Sequence, residues 1–216
     1  MEPATTATDA RLLLGTHCPH CPTVLQGLAQ LVKEGVLGRL EVVNIEQRPE
    51  IAAELGVRSV PWVEIGPFRL EGLRSPAELR QWAERAGSQA GMAEYLRELL
   101  GEGRLAEAID TLRRTPAAMD ALLTLLADPD TELQVRIGIG AIMEEFAGQP
   151  PLRKVVEKLG QLTRHPDPRL RNDACYYLGL SGDARARPYL QDRLGDADTG
   201  VRETASEALE ALTAAE

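Results

Sequence analysis

The chain has 216 residues, 44% hydrophobic and 26% charged, which is enough apolar material for one large core or two modest ones. Its net charge of −9 argues against a general nucleic-acid binder, which needs a basic face, and no apolar run approaches the roughly 20 residues of a membrane-spanning helix. The charge is uneven: residues 1–88 hold 9 Lys and Arg against 11 Asp and Glu, leaving 15 against 22 for the remainder.

Residues 1–9 are polar and read as a flexible tail. Met1–Ala10 lacks both the basic start and the apolar centre of a secretory signal. The three cysteines, Cys18, Cys21 and Cys175, do not make a disulfide framework, so the expected location is a reducing cytoplasm. Arg11–Gly15 is a short strand, and from Pro22 to Glu34 the apolar residues Val24, Leu25, Leu28, Leu31 and Val32 recur at helical spacing. Leu40–Ile45 is a second strand, and the helix between the two makes a right-handed βαβ unit with parallel strands. Arg48–Leu55 reads as a short helix closed by Gly56. Trp62–Ile65 and Phe68–Leu70 read as a hairpin turning at Gly66-Pro67. Ser75 and Glu78 have capping-box spacing, with Pro76 at the first position of a helix reaching Ala86. The expected order is β-α-β-α-β-β-α, over a domain spanning residues 10–88.

The dithiol Cys18-Pro19-His20-Cys21 sits where the first strand gives way to the first helix. Backbone N–H groups of a first helical turn lack intrahelical partners and carry the positive end of the helix dipole, so a thiolate placed there is favoured over the thiol. The spacing gives Cys18 the part of attacking sulfur and Cys21 the part of resolving sulfur, a two-electron cycle whose only cofactor is the Cys18–Cys21 disulfide itself. His20, between the two, can stabilise the Cys18 thiolate and so make the disulfide a better oxidant. The competing reading is half of a zinc site, with His17 and His20 as further ligands. It lacks a second cysteine pair, and no metal is expected.

With the dithiol after the first strand and Gly56-Val57-Arg58-Ser59-Val60-Pro61 before the third, the order resembles the thioredoxin fold across about residues 10–87. The resemblance implies that Pro61 follows a cis peptide facing the disulfide. The Val60 backbone is then offered to an extended substrate segment in the manner of strand addition. Trp62 is either a hydrophobic wall for that substrate or ordinary packing. His17 stands where the family carries a tryptophan before the first cysteine, and Leu12 stands where it carries a buried acid that takes the proton of the resolving thiol. Both departures point away from a general reductase. Cys18, Pro19, His20, Cys21 and Val60 also resemble the site of bacterial periplasmic disulfide oxidases, whose helical insertion this chain does not share.

After Gly87–Gly91, read as a linker, strand signals stop, and residues 89–216 read as an all-α domain. Met92–Leu100 and Leu105–Arg114 read as a helical hairpin. Asp128–Gln134, His165–Arg171 and Asp196–Arg202 each follow a Leu-rich helix and open another. Tyr177–Ala184 followed by Pro188-Tyr189-Leu190 resembles HEAT-like repeats, so about three helix pairs behind the hairpin form a small solenoid. Arg171 and Arg202 recur at matching positions and are expected to form a structural ladder with acids such as Asp167 and Asp198. Cys175 is expected to be a buried core thiol. The whole reads as an α/β thioredoxin-like thiol–disulfide oxidoreductase fused to an all-α solenoid. The solenoid recruits a protein partner, and neither nucleic acid nor membrane is involved. The alternative is a scaffold whose thioredoxin-like half is a redox switch or a relic.

Overall fold

A computed structural model describes residues 7–214. Its contacts divide the chain into two compact units between Met92 and Ala93. The first holds four strands, β1 (Thr8–Leu14), β2 (Leu37–Asn44), β3 (Trp62–Ile65) and β4 (Phe68–Glu71), and three helices, α1 (Cys21–Lys33), α2 (Pro49–Leu55) and α3 (Pro76–Arg85). This is the expected β-α-β-α-β-β-α order. Thr8 and Asp9, read as the end of a tail, belong to β1, while residues 1–6 of that tail lie outside the described residues.

The sheet order is β2-β1-β3-β4, with β1 parallel to β2 and the other two pairings antiparallel. Successive residues of β1 face opposite sides of the sheet. Leu12 pairs with Val63 and Ala10 with Ile65, and their side is buried together with Phe68 and Leu70 of β4. α1 packs on α3, where Gly27 lets the α1 backbone approach Leu79 and Pro76, and Phe68 meets the Trp82 ring edge-on at 5.0 Å. Leu13 points the other way and makes a core cluster with Val43 and Trp62, covered by Ile51 and Leu55 of α2 and by Val57 and Val60. The Ser75–Glu78 capping box is formed in both directions, which fixes the start of α3. α2 ends on Gly56 at φ +69°, a left-handed turn that glycine adopts without steric cost.

Gln89 already opens the next helix, α4 (Gln89–Gly101), so the segment read as a linker shrinks to three residues after α3. Ser88 accounts for the difference: its hydroxyl accepts the Gly91 N–H at 2.9 Å and donates to the Arg85 carbonyl at 2.8 Å, the bonding of a helix cap.

From Ala93 onward the regular elements among the described residues are all helices. α4 and α5 (Leu105–Arg114) form the hairpin. α6 (Ala118–Ala127) pairs with α7 (Leu133–Glu145); α8 (Pro150–Arg153) and α9 (Val156–Leu162) precede α10 (Pro168–Leu180); and α11 (Arg187–Gln191) precedes α12 (Thr199–Ala214). Each helix pair buries apolar side chains that it could not cover alone, such as Leu122 and Leu126, Ile139 and Met143, and Leu178 and Leu190.

The arginine ladder exists with different partners from those expected. Arg136, Arg171 and Arg202 each turn back onto carbonyls of the loop before their own helix: Thr131 and Asp128, His165 and Pro166, Asp196 and Ala197. Arg171 also forms a bidentate pair with Asp196, at 2.9 and 2.6 Å, while Asp167 and Asp198 accept backbone N–H groups at their helix starts. The physical reason is local: a carboxylate at a cap position already faces the unpaired amides of its own first turn. Cys175 is fully buried as expected, and burial pushes its thiol up to about 11.

Candidate functional site

β1 delivers the chain to the top of the sheet, and α1 begins within the dithiol motif. Cys21 is the first residue of α1 and 3% exposed; Cys18 is half-buried; His17, Pro19 and His20 are exposed. Cys18 and Cys21 are joined as a disulfide with their Cα atoms 5.5 Å apart. The Cys21 N–H donates to Cys18 Sγ over 3.2 Å, so an unpaired amide of the first turn is aimed at the sulfur that would carry the negative charge. His20 is the N-cap residue with no side-chain cap, and the first turn of α1 contains no acid, so nothing on α1 neutralises the positive end of its dipole there.

Opposite the disulfide, the Val60–Pro61 peptide is cis, as expected. The Val60 carbonyl lies 3.7 Å from Cys18 Sγ, and the Pro61 carbonyl accepts the Gly72 N–H at 2.9 Å. The structure thus brings Cys18, Cys21 and Val60 together, with Pro19 and the two histidines on the rim. Trp62 does not join them. Its side chain is 3% exposed and lies in the α2-side core with Leu13 and Val43, with the Arg69 guanidinium 5.8 Å from the ring centre. Alternation along β3 turns residue 62 inward, so the packing reading holds and the substrate-wall reading does not.

Leu12, at the place of the family's buried acid, is fully buried on the α1/α3 side of the sheet. The residue that sequence reasoning missed is Glu46. Its carboxylate accepts the Thr16 N–H at 2.7 Å, Thr16 Oγ1 accepts from the Asn44 side chain at 3.1 Å, and Asn44 Oδ1 accepts the Glu46 N–H at 2.9 Å. Hydrogen bonds from Thr16 hold the Glu46 carboxyl below the usual carboxylate range. A Cβ placed on Gly15 would lie 3.3 Å from this carboxylate, 3.4 Å from Val60 and 4.0 Å from Cys18 Cβ, so the backbone passes close between the three. The signal that finds Glu46 is the strand register: β1 and β2 are parallel with Leu14 opposite Asn44, and two residues further along each strand come Thr16 and Glu46.

Among the described residues, no group of three or more His, Cys, Asp or Glu side chains is placed to hold a metal ion, and no helix is long and apolar enough to cross a membrane. Chemically, the arrangement is a disulfide with one partly accessible sulfur, a helix-terminal amide aimed at that sulfur, and a backbone carbonyl beside it.

Compared with known families, residues 9–84 match a model described as a thioredoxin domain and residues 119–210 match one described as HEAT repeats. No curated protein matches the chain at a significant level.

Proposed function

From a chain that carries a thioredoxin-like domain followed by HEAT-like repeats, we propose a thiol–disulfide oxidoreductase that exchanges two electrons with a protein substrate through Cys18 and Cys21, the repeats recruiting the protein partner. The observation that carries this reading is the Cys21 N–H aimed at Cys18 Sγ at the start of α1, beside the cis Val60–Pro61 peptide. A buried, inert disulfide has no use for a half-exposed first sulfur facing a helix-terminal donor.

In the reductive direction the Cys18 thiolate attacks a substrate disulfide. The Cys18–substrate S–S bond forms, the substrate S–S bond breaks, and one substrate thiolate leaves and takes up a proton. The Cys21 thiol then gives up its proton and attacks Cys18 Sγ, releasing the second substrate thiolate and restoring the Cys18–Cys21 disulfide. The substrate is reduced by two electrons and the pair is oxidised by two. A dithiol donor or the glutathione pool resets it, and the same steps reversed oxidise a substrate dithiol. Val60, with its carbonyl beside Cys18, offers backbone to an extended substrate segment.

Two variants test the proposal. Cys21→Ser removes the resolving attack and should accumulate a protein mixed disulfide at Cys18, recovered by non-reducing electrophoresis. Cys18→Ser should abolish both that adduct and reduction of insulin. Reduction of insulin that survives in Cys18→Ser refutes the assignment. A Cys18–Cys21 pair whose oxidation does not follow the glutathione ratio would favour the adaptor reading.

A further inference from the structure

Of the four exposed large apolar side chains described in the repeat unit, Leu194 (46% exposed) follows α11, while Leu133 (73%), Ile137 (60%) and Tyr176 (42%) fall on two helices, α7 and α10, that pack on one another. Leu133 and Ile137 are one turn apart, so they share a face of α7. A groove of about 760 Å³ runs past the starts of α7, α10 and α12, lined among others by Leu133, Arg136, Arg169, Asn172, Asp173 and Asp198. Tyr176 then forms a wall of a smaller depression of about 190 Å³ between α10 and α12, opposite Glu207.

The charges along this face are not equivalent. Arg136 is committed to the carbonyls of Thr131 and Asp128, and Asp198 accepts the Val201 N–H at its own helix start. Asp173 is half-buried, and no hydrogen bond to its carboxylate is found among the described residues. Burial raises the Asp173 carboxyl above the usual range, an effect Asp167 adds to and Arg136 opposes. Glu144 accepts the Tyr176 hydroxyl at 3.0 Å, which sets a second carboxylate beside the exposed ring. Asp173, Glu144 and Glu207 thus flank an uncovered apolar ridge, in the half of the chain with 15 Lys and Arg against 22 Asp and Glu.

We propose that this face is the docking site for a basic amphipathic segment of a partner protein, with a Lys or Arg side chain pairing with Asp173 and apolar side chains covering Leu133 and Ile137. The proposal deepens the recruiting role given to the repeats above and rests on it, but it does not depend on the dithiol. A cation brought to Asp173 supplies the pairing that the fold leaves unmade, which is worth more at a half-buried carboxylate than at an open surface. Arg169 on the lip disfavours a uniformly basic chain, so the occupant spaces its cations between apolar residues.

The test uses the full chain and a fluorescein-labelled, cysteine-free amphipathic peptide of Leu and Lys, with a Leu/Glu peptide of the same pattern for comparison, read by anisotropy. Wild type should bind the Leu/Lys peptide in preference. Asp173→Asn and Ile137→Ser should each weaken binding by about fivefold. Glu157→Gln, an exposed carboxylate on α9, should leave it unchanged. Asp173→Asn should melt no lower than wild type, since it removes a charge that partial burial disfavours. The proposal is overturned if both peptides bind equally, if Asp173→Asn or Ile137→Ser binds as wild type, or if Glu157→Gln loses as much as Asp173→Asn. Cys18→Ser should bind the peptide as wild type does, so a failure here leaves the exchange reaction standing, and a failure of exchange leaves the docking site standing.

Discussion

Replacing Asp196 by Asn tests the junction between successive repeats. The Asp196 side chain is 3% exposed, accepts both arms of Arg171, lies 3.3 Å from Arg193 and takes the Asp198 N–H at 3.0 Å. The Arg171 guanidinium, before the other contacts, lowers its carboxyl from 3.8 to about 2. With about 1.4 kcal/mol for each pH unit, that shift corresponds to up to about 2 kcal/mol of folding free energy. Because the folded value lies below the unfolded one, this stability is complete above about pH 4 and is lost as pH falls towards about 2. Asp196→Asn should therefore cost about 1–2 kcal/mol near neutral pH and roughly half of that near pH 3. Urea titrations followed by far-UV circular dichroism read the helical repeats, while both tryptophans, Trp62 and Trp82, lie in the first unit and report it separately by fluorescence. A shift in the fluorescence transition larger than that in the dichroism transition, or a destabilisation that does not shrink in acid, refutes the reasoning.

Other perturbations reach the site and the repeat core. Glu46→Gln removes a negative charge beside the dithiol loop while keeping an acceptor for Thr16, so the Cys18 pKa in the reduced protein should fall; ultraviolet thiolate absorbance across a pH titration measures it, and a rise refutes the placement of Glu46. Gly160→Ala puts a Cβ 2.6 Å from three atoms of the Tyr189 ring and should cost about 1–3 kcal/mol by chemical denaturation. With its thiol buried and pushed up to about 11, Cys175 should resist alkylation in the native reduced protein at neutral pH while Cys18 reacts, as peptide mass mapping would show.

Features decided by local chemistry were readable in the chain. The Ser75–Glu78 box, the left-handed Gly56 and the Cys-Pro-His-Cys step into α1 each follow from residues within one or two turns. The cis Val60–Pro61 peptide was legible only once the strand order placed it opposite the dithiol. Ser88 was a local signal too, but glycines on both sides of it read more strongly as a linker. Glu46 is a different kind of omission, because its bond to Thr16 spans 30 residues of chain and exists only through the parallel register of β1 and β2. Trp62 turned inward by the same logic: its side of β3 is decided by pairing with Leu13, not by its own neighbours in sequence. Arg171 passed over nearby Asp167 for Asp196, which arrives 25 residues later with a carboxylate that its own loop does not fully occupy.

Leu12 has a further consequence. Where relatives of this fold carry an acid beneath the disulfide, this chain carries a fully buried aliphatic side chain, and the ionisable residues flanking the pair, His17, His20 and Glu46, all stand in solvent. Proton traffic at Cys18 and Cys21 is thereby exposed to whatever settles over the rim. In the proposed exchange, a docked protein that dries the loop, or sets its own charges beside it, would alter the acidity of both thiols, so the reduction potential of this disulfide would depend on the encounter as much as on the free protein.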